Sequence, residues 1–179
     1  QELWFTDGRA ILSGQNGGGK SMLMALGLPF ALEGDKSARR FDTLGGKERS
    51  PYGVLYPDGE AGDQPASRTG YIVWEWEHSG NGQWCCTVAS LRARKGDKHD
   101  VTFEGAVIPG RRYGTGDGHF TLDSDEPETP VDIKEFRKRV RAVEGATLAD
   151  KKKDFMRAVN GTLFHYAGGT DDLATLFDL

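Results

Sequence analysis

The feature that most constrains this chain is ILSGQNGGGKS, Ile11 to Ser21, in which Gly14 to Ser21 read G-x-x-x-x-G-K-S. An apolar run, Ala10 to Ser13, leads in, and a run rich in Leu, Met and Ala, Lys20 to Leu32, leads out. Strand, glycine loop and helix in that order make a phosphate-binding loop. Glycines let successive backbone N–H groups turn inward around an anion, and the helix offers its positive end. Gly14, Gln15, Asn16, Gly17, Gly18 and Gly19 should form the cradle. Lys20 should reach the outer phosphates and the Ser21 hydroxyl should ligate Mg2+, with ATP as the nucleotide.

Hydrolysis needs more than a cradle. An acidic residue must follow an apolar strand to hold Mg2+ through water, usually beside a carboxylate that activates the attacking water. No run of four apolar residues ending in Asp-Glu follows Ser21. Trp74-Glu75 and Trp76-Glu77 come nearest, but they alternate like an exposed strand. The chain is therefore expected to bind phosphate and to hold no catalytic residue of its own.

Other classes are excluded by composition. The chain has 179 residues, enough for one domain with a real core, and is 37% hydrophobic with a mean hydropathy of -0.56. No apolar run approaches the length of a membrane span, and Met22 to Leu32 is broken by Gly27 and Pro29. A net charge of -4 gives no global attraction to DNA, so any such contact must be a local patch. Cys85 and Cys86 are adjacent, should point to opposite faces of a strand, and fit a reducing cytoplasm. Residues 1–179 read as a single lobe and as a piece of a longer chain.

Leu3 to Phe5 and Arg9 to Ser13, divided by Asp7-Gly8, predict a hairpin. The helix after the glycine loop should kink or end near Leu28, at Pro29. Glu33 to Ser67 reads as loop, with one apolar island at Val54 to Tyr56. Tyr71 to Glu77, Trp84 to Leu91 and Val101 to Ile108 predict an antiparallel meander, with Ile72, Trp74 and Trp76 on one face. Thr129-Pro130 should open a helix whose stripe is Ile133, Phe136, Val140 and Val143, closed by Gly145. A further helix is expected from Leu148 to Val159, stopping at Asn160-Gly161, and a last one after Thr170. The fold class is α/β, a mixed sheet with an antiparallel meander and flanking helices.

With a hairpin before the loop, a meander after it and no acidic partner, the chain resembles the N-terminal lobe of a split ABC-type ATPase head, as in SMC and Rad50 proteins. LSGQNGGGKSMLMAL is similar to the matching stretch of MukB-like condensin ATPases. Within that group it most resembles the SMC-like JetC ATPases of Wadjet plasmid-defence systems. LPFALEGDKSARRFDTLGG, SRTGYIVWEWE, LRARKGD and DFMRAVNGTLFHYAGGTDDLATLFDL carry that likeness. The resemblance implies a coiled coil and a C-terminal lobe elsewhere in the same chain. It also implies a homodimer of heads sandwiching two ATPs, and DNA loop extrusion with kleisin, winged-helix and nuclease subunits acting on double-stranded DNA. Such heads usually add a Gln to the Mg2+ shell. The matching stretch, Leu163 to Asp172, holds none, leaving His165 and Asp171 as polar substitutes.

Leu12 to Gln15 also spell LSGQ, the ABC signature, but a signature must open a helix to meet a partner's γ-phosphate. Here Leu12 and Ser13 end a strand, and the match is one of spelling. Arg39 and Arg40 sit where SMC-type heads carry an Arg near nucleotide and DNA, although Asp35, Asp42 and Glu48 nearly balance that loop. Arg92, Arg94, Lys95 and Lys98 at a meander turn read as solvated, as do the basic residues from Lys134 to Arg141 and Lys151 to Lys153. Trp74, Trp76 and Trp84 read as sheet packing rather than base stacking. Two other classes stay open: a self-contained phosphate-loop kinase, small NTPase or Rad50/RecN-type repair ATPase, and a non-catalytic scaffold.

Overall fold

Alternation of apolar and polar residues builds one antiparallel sheet. The computed structural model describes residues 28–36, 50–57, 63–78, 81–122 and 132–164. Strands β1 (Ser67–Glu77), β2 (Trp84–Arg94) and β3 (Val101–Pro109) form the expected meander. β1 and β2 pair along their whole length, from Ser67 opposite Arg94 to Glu77 opposite Trp84. β2 and β3 pair from Cys85 opposite Pro109 to Ala93 opposite Val101. Gly82 and Gly96 close the two connections with positive φ of 66° and 82°, a region that suits glycine. Two-residue strands β4 (Arg112–Tyr113) and β5 (His119–Phe120) pair in parallel beside it.

A fourth strand joins the sheet where a helix is expected. β6 (Thr147–Ala149) pairs antiparallel with Gly105 to Val107, giving the order β1-β2-β3-β6. Leu148 is thus a strand residue, and the helix that follows, α4, spans only Lys152–Val159. Nor does it stop at Asn160-Gly161: residues Asn160–Phe164 continue as a π-helical turn.

Helices cover both faces. On one lie α1 (Leu28–Glu33), α2 (Pro51–Leu55) and α4, packed on Cys85, Ala89, Leu91, Phe103 and Val107 through Phe30, Tyr52, Phe155 and Val159. On the other lie α3 (Ile133–Arg141) and the β4–β5 segment, packed on Cys86, Val88, Ala106 and Ile108 through Phe120, Ile133, Phe136 and Val140. β2 is therefore covered on both sides, and Cys85 to Leu91 is an unbroken buried run. The adjacent cysteines do face opposite ways, and both are free thiols. Each large apolar side chain closed into these layers stabilises the fold by about 1.5–3 kcal/mol.

Two helix boundaries correct the sequence reading. Pro29 lies near the start of the described helix Leu28–Glu33, and the run from Lys20 to Gly27, where a kink or end near Leu28 is expected, lies outside the described residues. The island at Val54 belongs to α2, started by Ser50, whose hydroxyl accepts from the Gly53 N–H at 3.0 Å, with Pro51 next. α3 starts at Ile133 rather than after Thr129. Asp132 is extended, and its carboxylate accepts from the N–H groups of Lys134 and Glu135 at 2.9 and 2.8 Å. The apolar stripe of α3 lies where expected, and Gly145 takes φ +76° beyond its end.

Candidate nucleotide site and the elements behind it

The cradle Gly14 to Ser21, the hairpin before it, Arg39, Arg40, His165, Asp171 and the last helix lie outside the described residues. What is described next along the chain is α1, Leu28–Glu33, and the way it is held. Phe30 and Ala31 of α1 are buried against the sheet, with the Phe30 ring edge-on to Phe103 at 5.8 Å. Gly34 takes φ +61° and returns its N–H to the Phe30 carbonyl at 2.9 Å, capping the helix. A Cβ on Gly34 would lie 2.5 Å from the Phe103 ring, so glycine is required twice, by conformation and by space.

The two residues after that cap fasten α1 to its neighbours. The Asp35 carboxylate, buried to 8% exposure, pairs with the Lys152 ammonium at 2.9 Å. The Lys36 ammonium donates to the Val101 carbonyl at the start of β3. Sequence reasoning missed both contacts. Asp35 and Lys152 stand 117 positions apart, and the loop charges around Asp35 looked locally balanced.

The nearest candidates for a catalytic acid, Glu75 and Glu77, lie on β1. By alternation Glu75 shares the sheet face of Tyr71 and Val73, opposite the face that carries α1. Its carboxylate accepts from the Tyr113 N–H at 2.7 Å and pairs with Arg112 at 3.5 Å. Arg112 in turn lies 4.0 Å over the Trp84 ring. Glu75 is a structural acceptor that anchors β4 to the sheet. Glu77 is exposed at the end of β1.

The aromatic and cysteine groups are equally committed. Trp74 and Trp76 stack at 5.7 Å, and the Trp76 indole N–H donates to the Thr87 hydroxyl at 3.0 Å, as sheet packing requires. Burial pushes the Cys85 thiol up to about 11 and the Cys86 thiol further, the latter helped by Glu75, so neither is a ready nucleophile.

Basic side chains are largely engaged where the sheet needs them. Arg92 donates to the Ser67 hydroxyl at 3.2 Å, and Arg139 to Glu135 at 3.0 Å. Arg137 makes a two-point contact with Glu104, a carboxylate on β3 that no sequence pattern marks out. Arg94, Lys95 and Lys98 are exposed at the β2–β3 turn, where Asp97 accepts from the N–H groups of His99 and Asp100.

Among the described residues no group of three or more His, Cys, Asp or Glu side chains could hold a metal ion. No described helix is long and apolar enough to cross a membrane. Compared with protein-family models, curated proteins and solved structures, the chain matches none.

Proposed function

We propose that this chain is the ATP-binding half of an SMC-like ATPase head of the JetC type. Its phosphate loop, Gly14 to Ser21, binds Mg-ATP, with Lys20 on the outer phosphates and Ser21 on the metal. The observation that carries the reading is the order apolar strand, G-x-x-x-x-G-K-S, helix. The described fold supports it. α1 packs on an antiparallel sheet, and the nearest acidic candidate, Glu75, is engaged by Tyr113 and Arg112.

On this reading turnover is completed by a C-terminal lobe of the same protein and by a second head. The cycle drives loop extrusion on double-stranded DNA with kleisin, winged-helix and nuclease subunits, in the cytoplasm, against plasmids. Phosphate release from Mg-ATP, measured on the chain alone and with added C-terminal lobe, tests it. Negligible turnover alone and turnover on mixing is expected; turnover by the chain alone overturns the half-head reading.

A further inference from the structure

From Asp132 to Arg157, nine Lys and Arg stand against five Asp and Glu, whereas the whole chain carries 23 against 27. This stretch is α3, β6 and α4, so positive charge is concentrated in one part of an acidic chain. Pattern alone reads the two basic runs as separate solvated faces. The fold brings them to one place. β6 ends the described sheet, with Ala149 packed beside Phe155 of α4 on one side and Leu148 beside Phe136 and Val140 of α3 on the other. Glu104, and with it Asp150, hold the Arg137 guanidinium above its ordinary value, so the turn from β6 into α4 lies close to α3.

The acids of this stretch are mostly committed. Asp132 accepts from the N–H groups of Lys134 and Glu135, Glu135 pairs with Lys138 and Arg139, and Asp154 pairs with Arg157. Lys152 is held by Asp35. Lys134, Arg141, Lys151 and Lys153 are exposed and form no ion pair with a described residue. On α3, Lys134, Lys138 and Arg141 follow i, i+4, i+7 spacing, a row of about 10 Å along one side of the helix.

The uncharged positions decide the kind of partner. Every exposed residue from Asp132 to Gly161 is charged, polar, glycine or Ala142. A protein partner is anchored by aromatic and other large side chains at the centre of its footprint, and this surface exposes no aromatic or large apolar side chain. Single strands of nucleic acid are held by aromatic rings on which bases stack, and no ring is exposed here. A duplex needs neither, because Lys and Arg grip its phosphates from outside and release its counterions.

We propose that α3, β6 and the start of α4 form a docking surface for double-stranded DNA, gripped through its phosphates by Lys134, Lys138, Arg141, Lys151 and Lys153 without reading sequence. The choice of DNA over another duplex rests on the function proposed above; the surface rests on these side chains alone.

Fluorescence anisotropy of a labelled DNA duplex, titrated with the 179-residue chain at several salt concentrations and without nucleotide, tests the surface. Binding is expected at low salt, with affinity falling steeply as salt rises. Lys134→Gln with Lys138→Gln, and Lys151→Gln with Lys153→Gln, should each weaken binding about tenfold or more and reduce the slope against log salt by about two. The substituted side chains are exposed, and unchanged thermal midpoints show that the variants fold. Arg94→Gln with Lys98→Gln, at the β2–β3 turn, removes the same charge elsewhere and should bind as the wild type does. Wild-type affinity and slope in both helix pairs, or no duplex binding by the wild type, overturns the surface. Tighter binding of a single strand, an RNA duplex or polyglutamate than of the DNA duplex also overturns the proposal, marking a partner of another class. Mg-ATP binding, measured separately, is independent of all these outcomes, so the nucleotide reading stands or falls by itself.

Discussion

Arg137 on α3 engages both carboxylate oxygens of Glu104 on β3, with Nε 2.9 Å from Oε2, across the face of the sheet. The carboxylate is 8% exposed and the guanidinium 43%, so the acid depends on its partner more than the reverse. Arg137→Ala should leave a buried charge uncompensated. Breaking a fully buried pair costs about 3–5 kcal/mol, and the half-open Arg reduces that to about 2 kcal/mol here. Glu104→Ala in the Arg137→Ala background should recover part of the loss by removing the orphaned acid. Urea unfolding of the two single variants and the double variant measures the coupling.

Gly105→Ala should destabilise although it adds a single methyl. That atom would stand 2.5 Å from Cδ2 of Phe155 and 2.9 Å from Cζ of Phe103, and both rings are pinned by other elements. Overpacking of this kind costs about 1–3 kcal/mol. Phe155→Leu should offset part of that cost when combined with Gly105→Ala. Independent, additive losses in the double variant would contradict the packing described at this site.

Asp132 makes stability depend on acid. The N–H groups of Glu135 and Lys134 hold its carboxyl below the ordinary carboxylate range. A group with a lowered folded value contributes stability above its unfolded value, about 3.9, and loses it as pH falls through the folded one. Asp132→Ala should therefore be less stable than wild type at pH 7, with the gap closing as pH falls below about 4. Asp132→Asn keeps an acceptor but no charge, so its deficit against wild type should be smaller at pH 7 than that of Asp132→Ala and should likewise shrink as pH falls below about 4. Unfolding midpoints at several pH values distinguish the three proteins.

The sheet was legible because period-two patterns fix which residues share a face. Ile72 and Cys85 fell on one side, Val73 and Cys86 on the other, as alternation requires. β6 was not legible. Three residues are too few to show a period, and Leu148 also fits the spacing of the helix behind it. The start of α3 went to the wrong cap because Thr129-Pro130 and Asp132 both offer start chemistry, and only the backbone shows which carboxylate or hydroxyl meets free N–H groups. Ser50-Pro51 carried a readable start signal for α2 that the polar surroundings concealed. The contacts that hold the end of α1, Asp35 to Lys152 and Gly34 to Phe103, join distant positions, and no local pattern announces them.

The central claim is that Gly14 to Ser21 bind the phosphates of a nucleotide. Titration calorimetry of Mg-ATP into the wild-type chain and into Lys20→Ala tests it most directly. Saturable one-site binding by the wild type is expected, weakened about a hundredfold or more in Lys20→Ala, as the loss of two charge-assisted hydrogen bonds to phosphate would give. Equal binding by both proteins, or none by the wild type, would contradict it.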